Sequence, residues 1–250
     1  MNFNTNNVSA NVSAPSTGRV GAIAGVVPTS LVDFPGHVSI TFFLGGCNFR
    51  CPFCQNPDLV LGPWESVLDL EELPSWLARR RRLMDAICVS GGEPCLNAEV
   101  LAEICHRARE QDMAVKLDTN GSLPEALSRI LSENLVQYVA LDVKTAPQDY
   151  HRATRTLVDL QAIAESVSLV REAGVDHELR TTVIPRLHTP EKFQAIGEWL
   201  GGDSPYFLQP FRPGRTLDPD WRYDPRPSYE LMDELAAAAS QYFRSVAIRD

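Results

Sequence analysis

The segment Gly45-Gly-Cys-Asn-Phe-Arg-Cys-Pro-Phe-Cys-Gln-Asn-Pro57 sets Cys47, Cys51 and Cys54 in a C-x3-C-x2-C spacing. Three thiolates this close together can wrap one metal centre. A structural zinc site ordinarily takes four protein ligands. The loop offers no fourth Cys or His, and His37 falls before the preceding strand. An iron–sulfur cluster of four irons held by three thiolates leaves one iron open to a small molecule. Disulfide use fits poorly, because three is odd and the flanking segments read as a cytosolic enzyme. A zinc knuckle is the competing metal reading.

Outward from this loop the chain alternates strands and helices. Val38–Leu44 is β-branched and aromatic, bounded by Pro35-Gly36 and Gly45-Gly46, which marks a strand feeding the cysteine loop directly. Further strands are expected at Ala86–Ser90, Ala114–Thr119, Gln137–Val143, Glu178–Ile184 and Tyr206–Pro210, with an added edge strand at Val246–Ile248. Helices are expected at Leu70–Met84, Glu99–Gln111, Leu123–Glu133, Asp159–Ala173, Thr189–Leu200 and Ser228–Phe243. Pro74 and Pro124 fall near helix starts, where proline is tolerated. Thr189 reads as a cap with Pro190 at the first helical position. Pro205–Pro227, rich in Pro, Arg and Asp, reads mainly as a long loop. Six strand–helix units call for a parallel sheet with right-handed crossovers, two units short of a closed barrel. The fold class is α/β, an incomplete (βα)6 TIM-like barrel. Residues 1–24 are expected to be a poorly ordered tail, and 25–250 a single domain.

The chain has 250 residues, with 23 Lys+Arg against 32 Asp+Glu and a net charge of −9. That balance argues against a general nucleic-acid or membrane-surface binder. The one basic run, Arg79–Arg82, reads as a solvated helix end. No apolar run approaches the roughly 20 residues that span a bilayer. The first residues lack the basic start and apolar middle of a signal peptide, so a cytoplasmic protein is expected. The sequons at Asn7 and Asn11 then carry no meaning.

In α/β folds, ligands bind at the C-terminal ends of the strands. The unusual polar groups gather at those ends: Cys47, Gly91–Pro94, Asp118–Asn120, Asp142–Lys144, Arg180 and Gln209. Gly91 and Gly92 let backbone approach a ligand without a Cβ in the way. Asp118 and Asp142 on neighbouring strands repel if both are buried and charged. A positive charge is therefore expected between them: Lys144, a ligand ammonium or a metal cation. Arg180 suits a ligand carboxylate, with a rim ion pair to Glu178 as the alternative. Cys88, Cys95 and Cys105 show no metal spacing and read as small hydrophobes.

The cysteine loop, joined to Gly91-Gly-Glu-Pro94 at the next strand end, resembles the cluster motif of the radical S-adenosylmethionine (SAM) superfamily. Asp33-Phe-Pro-Gly36 and Cys54-Gln-Asn-Pro57 resemble the activating enzymes of glycyl radical enzymes. Within these the likeness is greatest to the longer form of the activating protein of the anaerobic ribonucleoside-triphosphate reductase. It runs from about Gly25 to the C-terminal region and also implies a six-unit partial barrel. It implies a 4Fe–4S cluster on Cys47, Cys51 and Cys54, with the fourth iron bound by the amino and carboxylate groups of SAM. One-electron cleavage of SAM then gives methionine and a 5′-deoxyadenosyl radical that abstracts hydrogen.

By the same likeness Phe53 lies near the adenine, while Gly91, Gly92 and Glu93 grip SAM, with the Glu93 carboxylate available to its ammonium. Asp118, Thr119, Asn120, Asp142 and Lys144 resemble positions that contact its ribose and carboxylate and, in some relatives, a monovalent cation. Arg180 would meet SAM, and Gln209 the adenosine. The implied partners are a large glycyl radical enzyme and a low-potential electron donor such as flavodoxin or ferredoxin. Arg212, Arg215 and Arg222 stand among Phe211, Trp221 and Tyr223 in the loop after the sixth strand, a composition suited to docking the partner. Two alternatives remain at this point. One is a radical SAM enzyme acting on a small molecule or peptide. The other is a non-catalytic iron–sulfur or zinc module, which leaves Gly91–Pro94 and the strand-end carboxylates unexplained.

Overall fold

Eight strands form one sheet in the order of the sequence: β1 (Ile23–Ser30), β2 (Ser39–Leu44), β3 (Ala86–Gly91), β4 (Ala114–Thr119), β5 (Tyr138–Asp142), β6 (Asp176–Val183), β7 (Gly202–Pro210) and β8 (Phe243–Ile248). The computed structural model describes residues 20–250. Most of the expected tail, with both sequons, lies outside the described residues. Ile23 and Ala24 already belong to β1, two residues before the expected start of the domain.

β1 pairs antiparallel with β2, and every later neighbour pairs parallel. The helices are α1 (Pro57–Leu61), α2 (Leu73–Ala78), α3 (Ala98–Arg109), α4 (Pro124–Ser132), α5 (Tyr150–Thr154), α6 (Leu160–Glu172), α7 (Pro190–Leu200) and α8 (Tyr229–Ala239). Each of β2 to β7 is followed by at least one helix, which makes the six expected units of a partial barrel. β1 was not expected; its run Ile23-Ala-Gly-Val-Val-Pro-Thr-Ser30 holds a glycine and a proline, and both weaken a strand signal. The edge strand β8 begins three residues earlier than expected, because Phe243 packs on Tyr206 with ring centroids 4.6 Å apart.

Helix ends also differ from expectation for physical reasons. α2 stops at Ala78, and residues 79–83 continue as turns. A longer helix would place the like charges of Arg79–Arg82 at neighbouring positions on its surface. Arg80 instead stacks on Trp76 at 3.5 Å, and Arg81 pairs with Asp112 at 3.2 Å. Thr189 occupies the N-cap of α7, but its hydroxyl makes no capping bond; Pro190 does take the first helical position.

Two hydrophobic cores flank the sheet. The first joins β2, β3 and β4 to α2, α3 and α4; the second joins β6 and β7 to α6, α7 and α8. Glu178, Lys116 and Thr41 are buried on strands of the sheet, so part of the barrel interior is polar.

Candidate active site

The cysteine loop leaves β2 through Gly45 and Gly46 and interlocks with the turn after β3. Gly92 N–H donates to the Leu44 carbonyl at 2.9 Å, and Glu93 N–H donates to the Gly46 carbonyl at 2.7 Å. A Cβ on Gly92 would lie 1.9 Å from the Gly46 oxygen, and one on Gly91 would lie 2.3 Å from the Leu44 nitrogen. Gly91 also has φ of +129°, a backbone shape that L side chains avoid. Their glycine character is therefore explained by the approach of two backbones, although both residues also face the cavity.

The other flank of the loop rests on the long segment after β7. Leu217 N–H donates to the Cys54 carbonyl and Asp218 N–H to the Pro52 carbonyl, both at 2.9 Å. Gln55 Nε2 donates to the Arg212 carbonyl at 2.7 Å. Phe53 is buried and packs on Trp221 with ring centroids 6.0 Å apart. Trp221 and Phe211 are thus core residues, correcting the expectation that they anchor a docking surface. Arg215 and Arg212 are already paired within the chain, with Asp58 and Asp250. Tyr223 remains 83% exposed, and Arg222 is exposed beside it.

These elements enclose one cavity of about 930 Å³, its open mouth included. Cys47, Cys51, Cys54 and Phe53 line one side. Gly91, Gly92, Glu93, Asp118, Thr119, Asn120, Asp142, Lys144 and Arg180 line the other, at the C-terminal ends of β3 to β6. Gln209 lies outside the lining; Thr182, its register partner on β6, takes that place.

All three loop cysteines are free thiols. Burial pushes Cys47 up to about 11 and Cys51 up to about 12, and it raises Cys54 as well. Binding a cationic iron centre must therefore expel their protons. Among the described residues, no three His, Cys, Asp or Glu side chains converge tightly enough to hold a single metal ion. Three sulfur donors spread around one cavity fit a multi-iron cluster held at its corners, and they do not fit a four-ligand mononuclear zinc site.

Glu93 corrects an expectation. Its carboxylate, 2% exposed, accepts from Cys95 N–H at 3.0 Å, from Thr119 Oγ1 at 2.8 Å and from Asn120 N–H at 2.6 Å. Burial raises its affinity for a proton, and these donors offset part of that. The side chain ties the turn after β3 to the end of β4, leaving little of it for a ligand ammonium. Thr119 is spent on the same contact. Asn120 turns to the cysteine loop: its Nδ2 donates to Asn48 Oδ1 at 2.9 Å, and Asn48 Nδ2 donates to Ser122 Oγ at 2.7 Å. Asn48 was missed in the sequence, where an Asn beside a cysteine is unremarkable.

The charge between the two aspartates is the Arg180 guanidinium, which was not among the groups expected there. Its Nη2 lies 3.1 Å from Asp118 Oδ2 and its Nε 2.5 Å from Asp142 Oδ1. Lys144 Nζ meets Asp142 Oδ2 at 3.0 Å. Glu178 is 4.0 Å from Arg180 and is held chiefly by Arg249, at 2.7 Å. Burial opposes ionisation of Asp142, but Arg180 and then Lys144 outweigh it and hold the carboxyl far below the usual range. Burial likewise opposes charge on Lys144, and Asp142 outweighs it, so the ammonium is held firmly. The buried Lys116 also pairs with Asp118. It was missed, although a lysine two residues before an aspartate on a covered strand shares its face.

A cavity at the strand ends of a partial (βα)6 barrel, with three thiols facing a row of fixed charges, suits a metal cluster beside a charged small molecule. The family description "Radical SAM superfamily" matches residues 41–200. A protein of Methanocaldococcus jannaschii that bears the name glycyl-radical enzyme activating enzyme is 31% identical over 91% of this chain and 95% of its own. The pyruvate formate-lyase-activating enzyme of Clostridium pasteurianum is 30% identical over 67% of this chain and 71% of its own. The Streptococcus suis protein SuiB, solved bound to S-adenosylmethionine, superposes with a TM-score of 0.61 at 12% identity, over 82% of this chain and 48% of that one; this shows the shared fold.

The chain belongs to the radical SAM superfamily, in its branch of glycyl-radical-enzyme activating enzymes. Its cofactors are those of the superfamily, a 4Fe–4S cluster and SAM.

Proposed function

We propose that the partner is the anaerobic ribonucleoside-triphosphate reductase, and that Cys47, Cys51 and Cys54 hold the cluster against which SAM is laid. The observation that carries the site assignment is the single cavity that brings the three thiols opposite Asp118, Asp142, Lys144 and Arg180. The likeness to the activating protein of the anaerobic reductase, which runs from about Gly25 to the C-terminal region, supports the choice of partner. When bound, the cofactors supply a one-electron cleavage of the SAM sulfonium bond, whose product takes the Cα hydrogen of a partner glycine.

The chain's own residues do the rest. Lys144 and Arg180 present positive charge to the SAM carboxylate, and Asp142 holds both in place. Phe53, backed by Trp221, offers an apolar face to the adenine. Gly91 and Gly92 keep the far wall thin enough for ligand and cysteine loop to share the space. The electron comes from a low-potential donor such as flavodoxin or ferredoxin, and the protein works in the cytoplasm. Among the described residues, no helix is long and apolar enough to cross a membrane.

The test mixes reduced protein, SAM and the candidate reductase without oxygen and records the spin-resonance spectrum. A doublet on the reductase, lost when its radical-site glycine is changed to alanine, is expected. SAM cleavage with no partner radical, together with modification of a small molecule or peptide, would move the assignment to that class of substrate.

A further inference from the structure

Lys116 lies within β4, inside the barrel, with 2% of its side chain exposed. It shares a strand face with Asp118 but does not line the cavity, so it stands one layer beneath the ligand. An ammonium at that depth is costly unless it is paired. Its Nζ pairs with Asp118 Oδ1, with Cys88 Sγ 3.9 Å away and the Tyr138 ring centroid 5.9 Å away.

From Lys116 the charges form an unbroken row toward the cavity. Asp118 offers Oδ1 to Lys116 and Oδ2 to Arg180. Arg180 continues to Asp142 Oδ1, and Asp142 Oδ2 meets Lys144. All four oxygens of the two strand-end carboxylates therefore face a cation of the chain itself. Three cations against two anions leave one net positive charge on the row, the sign that suits a ligand carboxylate. Glu178 is no competitor at the near end, because Arg249 takes both its oxygens at 2.8 and 2.7 Å and Tyr138 donates to it at 2.7 Å. Without Lys116, Asp118 Oδ1 would be a buried anionic oxygen with no cation, and the row would carry no net charge. Such a site is neutralised by a proton or by a small cation from solvent.

We propose that Lys116 is a positioning residue that serves as a built-in counter-ion: it holds Asp118 in register and lets the row receive SAM without a bound potassium or sodium ion. The inference rests on the reading of the cavity as the SAM site.

The test is the affinity of the anaerobically reconstituted holoenzyme for SAM, measured by calorimetry in potassium chloride and in tetramethylammonium chloride at equal ionic strength. The unaltered protein is expected to bind equally, within about twofold, in the two salts. Lys116→Met is expected to lose about tenfold or more in tetramethylammonium and to recover most of it in potassium. Melting of the cofactor-free protein gives a second readout: potassium should raise the midpoint of Lys116→Met and leave that of the unaltered protein in place. An unaltered protein whose SAM affinity needs potassium overturns the proposal, and so does an equal loss by Lys116→Met in both salts, which marks a merely structural lysine. Should Lys116→Met fail to fold, the two titrations of the unaltered protein still decide, with Lys116→Gln as the second variant. Absence of SAM binding in either salt would bring down the reading of the cavity itself, whereas potassium-dependent binding overturns this proposal alone.

Discussion

The core around β2, β3 and β4 is closed by aliphatic side chains: Ile40, Leu44, Ile87, Val89 and Leu117 meet Leu77, Leu101 and Ile130 from the helices. The core around β6 and β7 is closed in part by the cysteine loop, whose Phe49, Cys51 and Phe53 pack among Tyr150, Phe211 and Trp221. The loop springs from β2 in the first half yet buries its side chains in the second. It is a strap across the barrel mouth, tied at one end by the Gly46–Glu93 interlock and at the other by Trp221 and the backbone of residues 217–218. The first core supports the fold alone, whereas damage to the second also moves the thiols.

The largest contrast is expected between cysteines of the two cores. Cys51→Ala, in the second, should abolish SAM cleavage and lose most of the bound iron, because no spare ligand stands nearby. Cys105→Ala, fully buried in the first, should keep both. Iron content and methionine release after anaerobic reconstitution check the pair; full iron in Cys51→Ala would break the contrast.

Large-to-small changes sharpen it next. Trp221→Ala and Leu101→Ala should each destabilise by about 2–5 kcal/mol through lost burial and cavity formation. Only Trp221→Ala should also lower the iron retained per folded chain, since it removes the support of Phe53. Equal iron in the two variants, assayed below their melting transitions, would mean that the strap does not need its distal anchor.

At the seam between the cores, Lys144→Ala should weaken SAM binding by about ten- to hundredfold, the loss of one charge-assisted contact of about 1.5–3 kcal/mol, while the iron stays in place. Calorimetry showing unchanged affinity would reduce Lys144 to a structural partner of Asp142.

The smallest effect concerns His188, buried beside the seam. Its Nδ1 accepts from Ile184 N–H at 2.9 Å and its Nε2–H donates to the Lys144 carbonyl at 3.1 Å, which fixes a neutral ring. Burial pushes it down to about 4 from 6.5, opposed by its bond to the Lys144 carbonyl and by Asp149 and helped by the charge of Lys192. The unfolded chain therefore binds more protons between those values, so stability is present above about pH 6.5 and is lost as pH falls toward 4. Between about pH 6.5 and 5.5 the loss should be about 1 kcal/mol, and His188→Gln should remove that slope. Denaturant titrations at the two pH values check it; an unchanged slope in the variant would assign the pH response to other groups.

How much was legible varied with the range of the interactions involved. The six units could be read because strand punctuation and helical spacing are local properties. β1 escaped because Gly25 and Pro28 mask its strand signal, and it is held by pairing with β2. The short helices α1 and α5 also escaped, since their few residues carry too little periodicity to announce a helix. Glu93 was legible as an unusual carboxylate but not as an internal clamp, since two of its three donors come from Thr119 and Asn120 at the end of the next strand.

The sequence by itself determined the chemistry: three thiols at fixed spacing, glycines at the next strand end, and carboxylates with lysine and arginine at strand termini. These follow from residue type and from the rule that strand ends in such sheets face the ligand. Only the tertiary structure decided which charge answers which. The aspartates of β4 and β5 meet the guanidinium of β6, and Lys116 lies beneath them, because parallel pairing sets residues tens of positions apart in one layer. The same pairing carried the aromatic residues of the long loop inward, where burying Phe211 and Trp221 against the cysteine loop outweighs leaving them for a partner.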